Sequence, residues 1–148
     1  MENRMDLKVR KAELQDSFAI CEISRAAMGY ACTAELVWDR LCSVDDNREA
    51  VYVAELDGTI IGFVHAETYR LLYSEAMVNI LGIAVDSQYR RHGAGKALLH
   101  QVENWAKSMG INTVRLNSGA ARKEAHRFYE AMGYCDRKEQ VRFIKALD

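Results

Sequence analysis

The run Met77-Val78-Asn79-Ile80-Leu81-Gly82-Ile83-Ala84-Val85 carries a polar side chain only at Asn79. A strand this apolar reads as the centre of a sheet covered on both faces. It runs straight into a basic, glycine-bearing turn, Arg90-Arg91-His92-Gly93-Ala94-Gly95-Lys96. The turn opens an amphipathic helix over 95–109, with Leu98, Val102, Trp105 and Met109 one or two turns apart and Gly110 as its stop. A buried strand, a corner and a helix in succession commit the chain to a layered fold of sheet and helices.

The remaining pattern agrees. Residues 7–10 alternate as a short first strand. Asp16 is positioned to cap a helix in which Ala19, Ile23, Ala26 and Ala27 fall at helical spacing beside Ile20. A second helix over 34–43 would turn Leu36, Val37 and Leu41 inward. Residues 51–56 and 59–69 are β-branched and aromatic and meet at Asp57-Gly58, the pair a two-residue hairpin turn prefers. Residues 112–117 read as a strand. Residues 122–132 read as a helix with Ala125, Phe128, Tyr129 and Met132 on one face, stopped by Gly133. Residues 134–147 alternate as a final strand. Pro is absent from the 148 residues, so Gly, Asn and Asp must make the turns. With no repeat or linker, the expectation is one domain over 1–148 and a mixed α/β or α+β sheet.

Composition excludes several functions. A formal charge of −1 gives no basic field for nucleic acid. No apolar run approaches a membrane span, and no secretory leader is read in the charged first residues. Cys21, Cys32, Cys42 and Cys135 form no CxxC pair and no metal-ligand rhythm with the histidines, so no metal is expected. Reduced, mostly buried thiols in a cytoplasmic protein are the simplest reading.

The corner after the central strand carries the chemistry. The first N–H groups of a helix lack intrahelical partners, and the aligned peptide dipoles leave partial positive charge there. Glycines let an anion approach that backbone, and Arg90, Arg91, His92 and Lys96 add side-chain charge. This is a cradle for a phosphate or pyrophosphate. A nucleotide-hydrolase loop does not fit, because Arg90 stands at its first Gly and Ala97 replaces its hydroxyl. A dinucleotide fingerprint fails at Leu98, where a third Gly is needed. An isolated Arg-x-x-Gly-x-Gly is equally well a solvated loop.

Residues 80–99 resemble the cofactor motif of the GNAT superfamily of N-acetyltransferases: an apolar strand, then Arg90-x-x-Gly93-x-Gly95, then an apolar helix. Downstream, Ala125-His126-Arg127-Phe128-Tyr129-Glu130-Ala131-Met132-Gly133-Tyr134 is similar to the family's Ala-x-x-Phe-Tyr-x-x-x-Gly-Phe/Tyr block. The hairpin with Gly62 in its second strand and the closing Phe143-x-Lys145-x-Leu147 also match, and the resemblance runs from about Leu7 onward. It implies a mixed, mostly antiparallel twisted sheet flanked by helices, with splayed central strands and a bulge for which Gly82 is a candidate. It further implies acetyl-CoA as cofactor, its pyrophosphate held by backbone groups of Arg91, His92, Gly93, Ala94, Gly95 and Lys96 with Arg90 at the head of the turn. Ile83, Ala84 and Val85 would line the pantetheine arm, with Ile83 and Val85 bonding it as an added strand.

By periodicity alone Tyr129 reads as core; the resemblance reverses that preference and would stand it near the cofactor sulfur as a proton or hydrogen-bond donor. Many family members carry an Asn where Arg122 stands, so Arg122 would meet a CoA phosphate or only solvent, and Asn117 is a substitute for the amide contact.

The acceptor would be a primary amine of a small molecule or peptide. An amine of pKa ~10.4 costs roughly 4–5 kcal/mol to deprotonate at pH 7, so some group must accept its proton. Glu55, Glu67 and Glu75 are candidates, with Asn79 and Tyr73 as positioning groups; His65 and His100 read first as structural. Tyr30, Trp38, Tyr69 and Tyr73 would line the acceptor groove, or serve as core or a homodimer surface. No cysteine falls in either motif, so direct transfer in a ternary complex is expected. The alternative is a non-catalytic acyl-CoA sensor.

Overall fold

Asp57 and Gly58 adopt positive φ, 48° and 83°, as a type I′ turn requires. In this computed structural model, which describes residues 6–148, that turn joins β2 (Glu49–Leu56) to β3 (Thr59–Tyr69). Residues 1–5 of the charged N-terminal stretch lie outside the described residues. The chain divides into two compact units, Met1–Leu116 and Asn117–Asp148.

In the first unit, β1 (Leu7–Lys11), β2, β3, β4 (Met77–Val85) and β5 (Val114–Leu116) form one sheet in sequence order. The first four strands are antiparallel neighbours, and β5 runs parallel to β4. The parallel step requires a crossover, which α3 (Ala94–Ser108) supplies.

Helices α1 (Ser17–Met28) and α2 (Ala34–Cys42) belong with one face of the sheet. Ile20 and Ile23 of α1 pack with Val51, Val53, Phe63 and Ala84, and Val37, Leu41 and Val44 join their edge. Helix α3 packs on β2, β3 and β4 through a stripe of Leu98, Leu99, Val102 and Ala106, all buried. Each of the Leu and Val side chains contributes about 1.5–3 kcal/mol relative to exposure. A Cβ at Gly62 would lie 3.0 Å from Ala84 O and 3.3 Å from Leu98 Cδ1. Glycine is what lets β3, β4 and α3 close together there.

Several expectations are corrected. Asp16 does not cap α1 through its side chain. Its carboxylate instead takes both Arg10 guanidinium nitrogens, at 2.8 and 2.9 Å, and the Glu13 N–H at 2.7 Å. Burial opposes ionisation of Asp16, but those bonds outweigh it and hold the carboxyl below its usual range. Leu36 and Ala26 face solvent, because α2 buries no residue fully and α1 buries Ile20, Ile23 and Ser24 instead. Of the thiols only Cys21 is buried; Cys32 is intermediate and Cys42 and Cys135 are exposed.

The second unit contains α4 (Lys123–Ala131). The final strand expected over 134–147 is not formed: residues 135–148 pair with no strand among the described residues and are exposed throughout. The alternation is real, but no described strand is paired with it. No helix among the described residues is long and apolar enough to cross a membrane.

Candidate functional site

Strand β4 changes partners half-way along. Val78, Asn79 and Ile80 lie opposite Val114, Arg115 and Leu116 of β5, and pairing ends there. On the other side Ala66 faces Ile80 whereas His65 faces Gly82, so Leu81 is an extra, bulged residue. The bulge implied for this strand is therefore present one residue before Gly82. A Cβ at Gly82 would meet only Phe63 Cε2 at 4.0 Å, so space does not demand glycine there. Past the bulge, residues 82–85 pair with β3 alone among the described strands. Their free edge exposes backbone that could bond an extended ligand, and Ile83 and Val85 are half-buried along it. Ala84 turns its methyl into the core.

The corner that follows is ordered by its own backbone. Asp86 accepts from Gln88 N–H at 3.0 Å, and Tyr89 N–H donates to Asp86 O at 2.9 Å, making one tight turn over Ser87–Tyr89. Arg91 and Gly93 then adopt left-handed conformations, φ 71° and 81°. Gly93 caps α3 without a side chain, and no acidic residue lies in the helix's first turn. The helix's backbone bonds start with Ala97 N–H to Gly93 O, 3.0 Å. The amides of Ala94, Gly95 and Lys96 are thus the orphan donors of a helix N-terminus. Nothing lies within 4 Å of a Cβ built on Gly93, and the Arg90, Arg91, His92 and Lys96 side chains are exposed around it. An anion meets partial and full positive charge here.

A second feature lies on the part of β4 before the bulge. The register sets Glu49, Glu67, Asn79 and Arg115 side by side across β2, β3, β4 and β5. Directly opposed residues share a face, so the four form a polar row. Asn79 Nδ2 donates to Glu67 Oε2 at 2.9 Å, and Arg115 Nη1 donates to Asn79 Oδ1 at 2.6 Å. The Arg115 guanidinium also lies 4.7 Å over the Tyr69 ring, within cation–π range. His65 Nε2 meets Glu49 Oε1 at 2.9 Å. A shallow depression of about 200 Å³ beside the row is lined by Asp45, Arg48, Glu49, Glu67 and Thr68.

Of the other carboxylates singled out by sequence, Glu55 is held by Arg10 at 3.4 Å, and Glu75 is exposed. Tyr73 and His100 are exposed, while His65 is taken by Glu49. Arg115 and Glu49 were not visible as site residues in the sequence. The only signal was an Arg inside the short apolar strand, and its neighbours are set by register.

In the second unit, Arg122 stands at the N-cap of α4 with no side-chain capping bond. Asn117 lies in the segment leading to it. Tyr129 packs against Phe128 and Tyr134, with ring centroids 5.4 and 6.2 Å apart. Burial pushes its phenol above the usual value, against a smaller opposing pull from Arg122. Tyr129 is therefore protonated at neutral pH and able to donate.

The acetyltransferase (GNAT) family model matches residues 17–134. This chain belongs to the GNAT family of acetyltransferases. Its likeness to an uncharacterised N-acetyltransferase of Methanocaldococcus jannaschii is 31% identity, covering 88% of this chain and 79% of that one. N-acetylaspartate synthetase of Rattus norvegicus is 34% identical over 83 residues, 56% of this chain, which spans only 27% of that enzyme. Among solved structures, an aminoglycoside acetyltransferase from an uncultured soil sample shares the fold at TM-score 0.80 and 21% identity, covering 96% and 97% of the two chains. The aminoglycoside N-acetyltransferase AAC(6')-Iy in complex with CoA does so at TM-score 0.84 and 16% identity, over 99% of both. The GNAT fold thus accounts for the mixed sheet and for its divergence beyond Ile80.

Proposed function

We propose that this chain is a single-domain N-acetyltransferase that moves the acetyl group of acetyl-CoA directly to a primary amine of a small molecule or peptide. The observation that carries the reading is the end of β4: a strand edge left without β5, running into a basic helix N-terminus that has no side-chain cap and no acidic residue in its first turn. The residues present fit CoA. Amides of the turn 91–96 would hold its diphosphate, with Arg90 and Lys96 adding charge, and the backbone of Ile83 and Val85 would hold its arm. When bound, acetyl-CoA would supply the activated thioester.

The chain's own residues would do the rest. Glu67, oriented through Asn79 and Arg115, is positioned as acceptor for the proton the amine must lose, which is worth about 4–5 kcal/mol at pH 7. Tyr129 holds a proton on Oη for the departing sulfur. Arg122 and Asn117 are assigned to the cofactor side. The carboxylates beside the row suit an acceptor that arrives as an ammonium ion.

The test joins calorimetric titration with CoA to a CoA-release assay over polyamines, aminoglycosides, amino acids and peptide N-termini. Micromolar CoA uptake with release on at least one amine is expected. Absence of CoA uptake overturns the reading, whereas uptake without release on any amine shifts it to a sensor.

A further inference from the structure

Resting on the proposed transferase function, we infer that His65, held by Glu49, is a second proton acceptor, which takes the proton the amine nitrogen must still lose after Glu67 has taken the first. Turning an ammonium group into an amide breaks two N–H bonds. One proton leaves before the nitrogen has a lone pair with which to form the C–N bond. The other leaves after that bond has made the nitrogen positive again. The C–S electron pair departs with sulfur, which takes up one proton, so one proton in all reaches solvent. A carboxyl that has accepted the first proton is no longer a base, and the second needs another group.

The sheet supplies it. His65 and Glu67 lie two residues apart on β3, so they share a face and stand roughly 6–7 Å apart along the strand. The bulge at Leu81 falls between their partners, because Glu67 lies opposite Asn79 and His65 opposite Gly82. Glu67 thus faces a side chain in the doubly paired half of β4. His65 faces a residue without one, in the half that β5 leaves open. A Cβ at Gly82 would meet only Phe63 Cε2, 4.0 Å away. The face is bare between the imidazole and the strand edge to which the cofactor arm is assigned.

Glu49 sets the ring. Its Oε1 lies 2.9 Å from His65 Nε2, where a carboxylate accepts from the Nε2–H. The neutral ring then leaves the lone pair of Nδ1 as the base. Among the described residues Nδ1 has no hydrogen-bond partner. When Nδ1 takes a proton, the imidazolium forms in contact with a carboxylate, and Glu49 acts as a positioning residue. The two side chains are 31% and 32% exposed, so the proton can pass on to water. Ile20, Ile23, Val37 and Leu41, which pack on this face from α1 and α2, carry no charge. The ionisable groups beside His65 on the sheet are Glu49 and Glu67, with Arg115 beyond Asn79.

Two readouts decide it. In the wild-type protein without ligand, the imidazole 15N resonances of His65 are expected to show the Nε2–H tautomer at neutral pH. With the amine that gives CoA release, His65→Gln should lower kcat about 10²-fold while calorimetric CoA affinity stays within twofold. The histidine ionisation should vanish from the acid limb of kcat in that variant, and free imidazole should restore His65→Ala about tenfold. An Nδ1–H tautomer, wild-type turnover in His65→Gln, or a loss that keeps the acid limb overturns this inference alone. Wild-type protein that acetylates no amine overturns the transferase function and this inference with it. The tautomer is read without any variant, so a misfolded substitution does not remove the test.

Discussion

The two halves of β4 have almost the same composition and opposite surroundings. Before Leu81 the strand has neighbours on both sides, and its one polar side chain, Asn79, is bonded to Glu67 and Arg115. After Leu81 it has one neighbour, and what it offers outward is backbone. Pairing on both edges fixes side chains, which suits a group that must hold a proton in place. Pairing on one edge leaves amides and carbonyls to be met by something extended. On the proposed function, sheet register would separate the acceptor chemistry from the cofactor chemistry along a single strand.

The division can be broken at several points. Glu67→Gln should cost most, lowering kcat about 10²–10⁴-fold while calorimetric CoA affinity stays within twofold. A matched loss of CoA binding would show that the two halves are not separate. Gly62→Ala places a Cβ 3.0 Å from Ala84 O, opposite the one-sided half. It should destabilise the fold by about 1–3 kcal/mol in urea unfolding, because the atom it meets is backbone. Gly93→Ala meets no atom but must adopt φ near 81°. A strain of about 1–2 kcal/mol predicts CoA affinity weakened roughly tenfold, with a lesser change in kcat.

Ionisation of Tyr129 should be the smallest signal. Because burial raises its folded pKa above the unfolded value, its contribution to stability is complete below about pH 10 and is lost as pH rises through the folded value. Absorbance titration of wild type against Tyr129→Phe should assign a late-titrating tyrosine to this position. A tyrosine lost from the ordinary range instead would contradict the burial.

What sequence could reveal followed the range of the forces involved. The hairpin at Asp57-Gly58, the stripe of α3 and the basic corner are local patterns, and each forms within a residue or two of its expected bounds. Asp16 looked like a helix cap because its real partner, Arg10, lies on β1 and is joined only by tertiary folding. The row Glu49–Glu67–Asn79–Arg115 draws on four strands, so no single stretch contains it. The bulge was legible as an expectation, but its position was not: Gly82 invites the assignment, while pairing to His65 and Ala66 puts it at Leu81. Alternation in 134–147 suggests a final strand, yet none forms among the described residues, because an alternating pattern does not by itself supply the neighbouring strand.

Arg91 keeps a left-handed backbone although it has a Cβ to clash, two residues before a glycine that does the same freely. Folding bears that strain in advance, so the corner need not rearrange to receive a ligand. Complex formation should therefore be fast and show little ordering entropy, and its heat-capacity change should reflect surface burial alone.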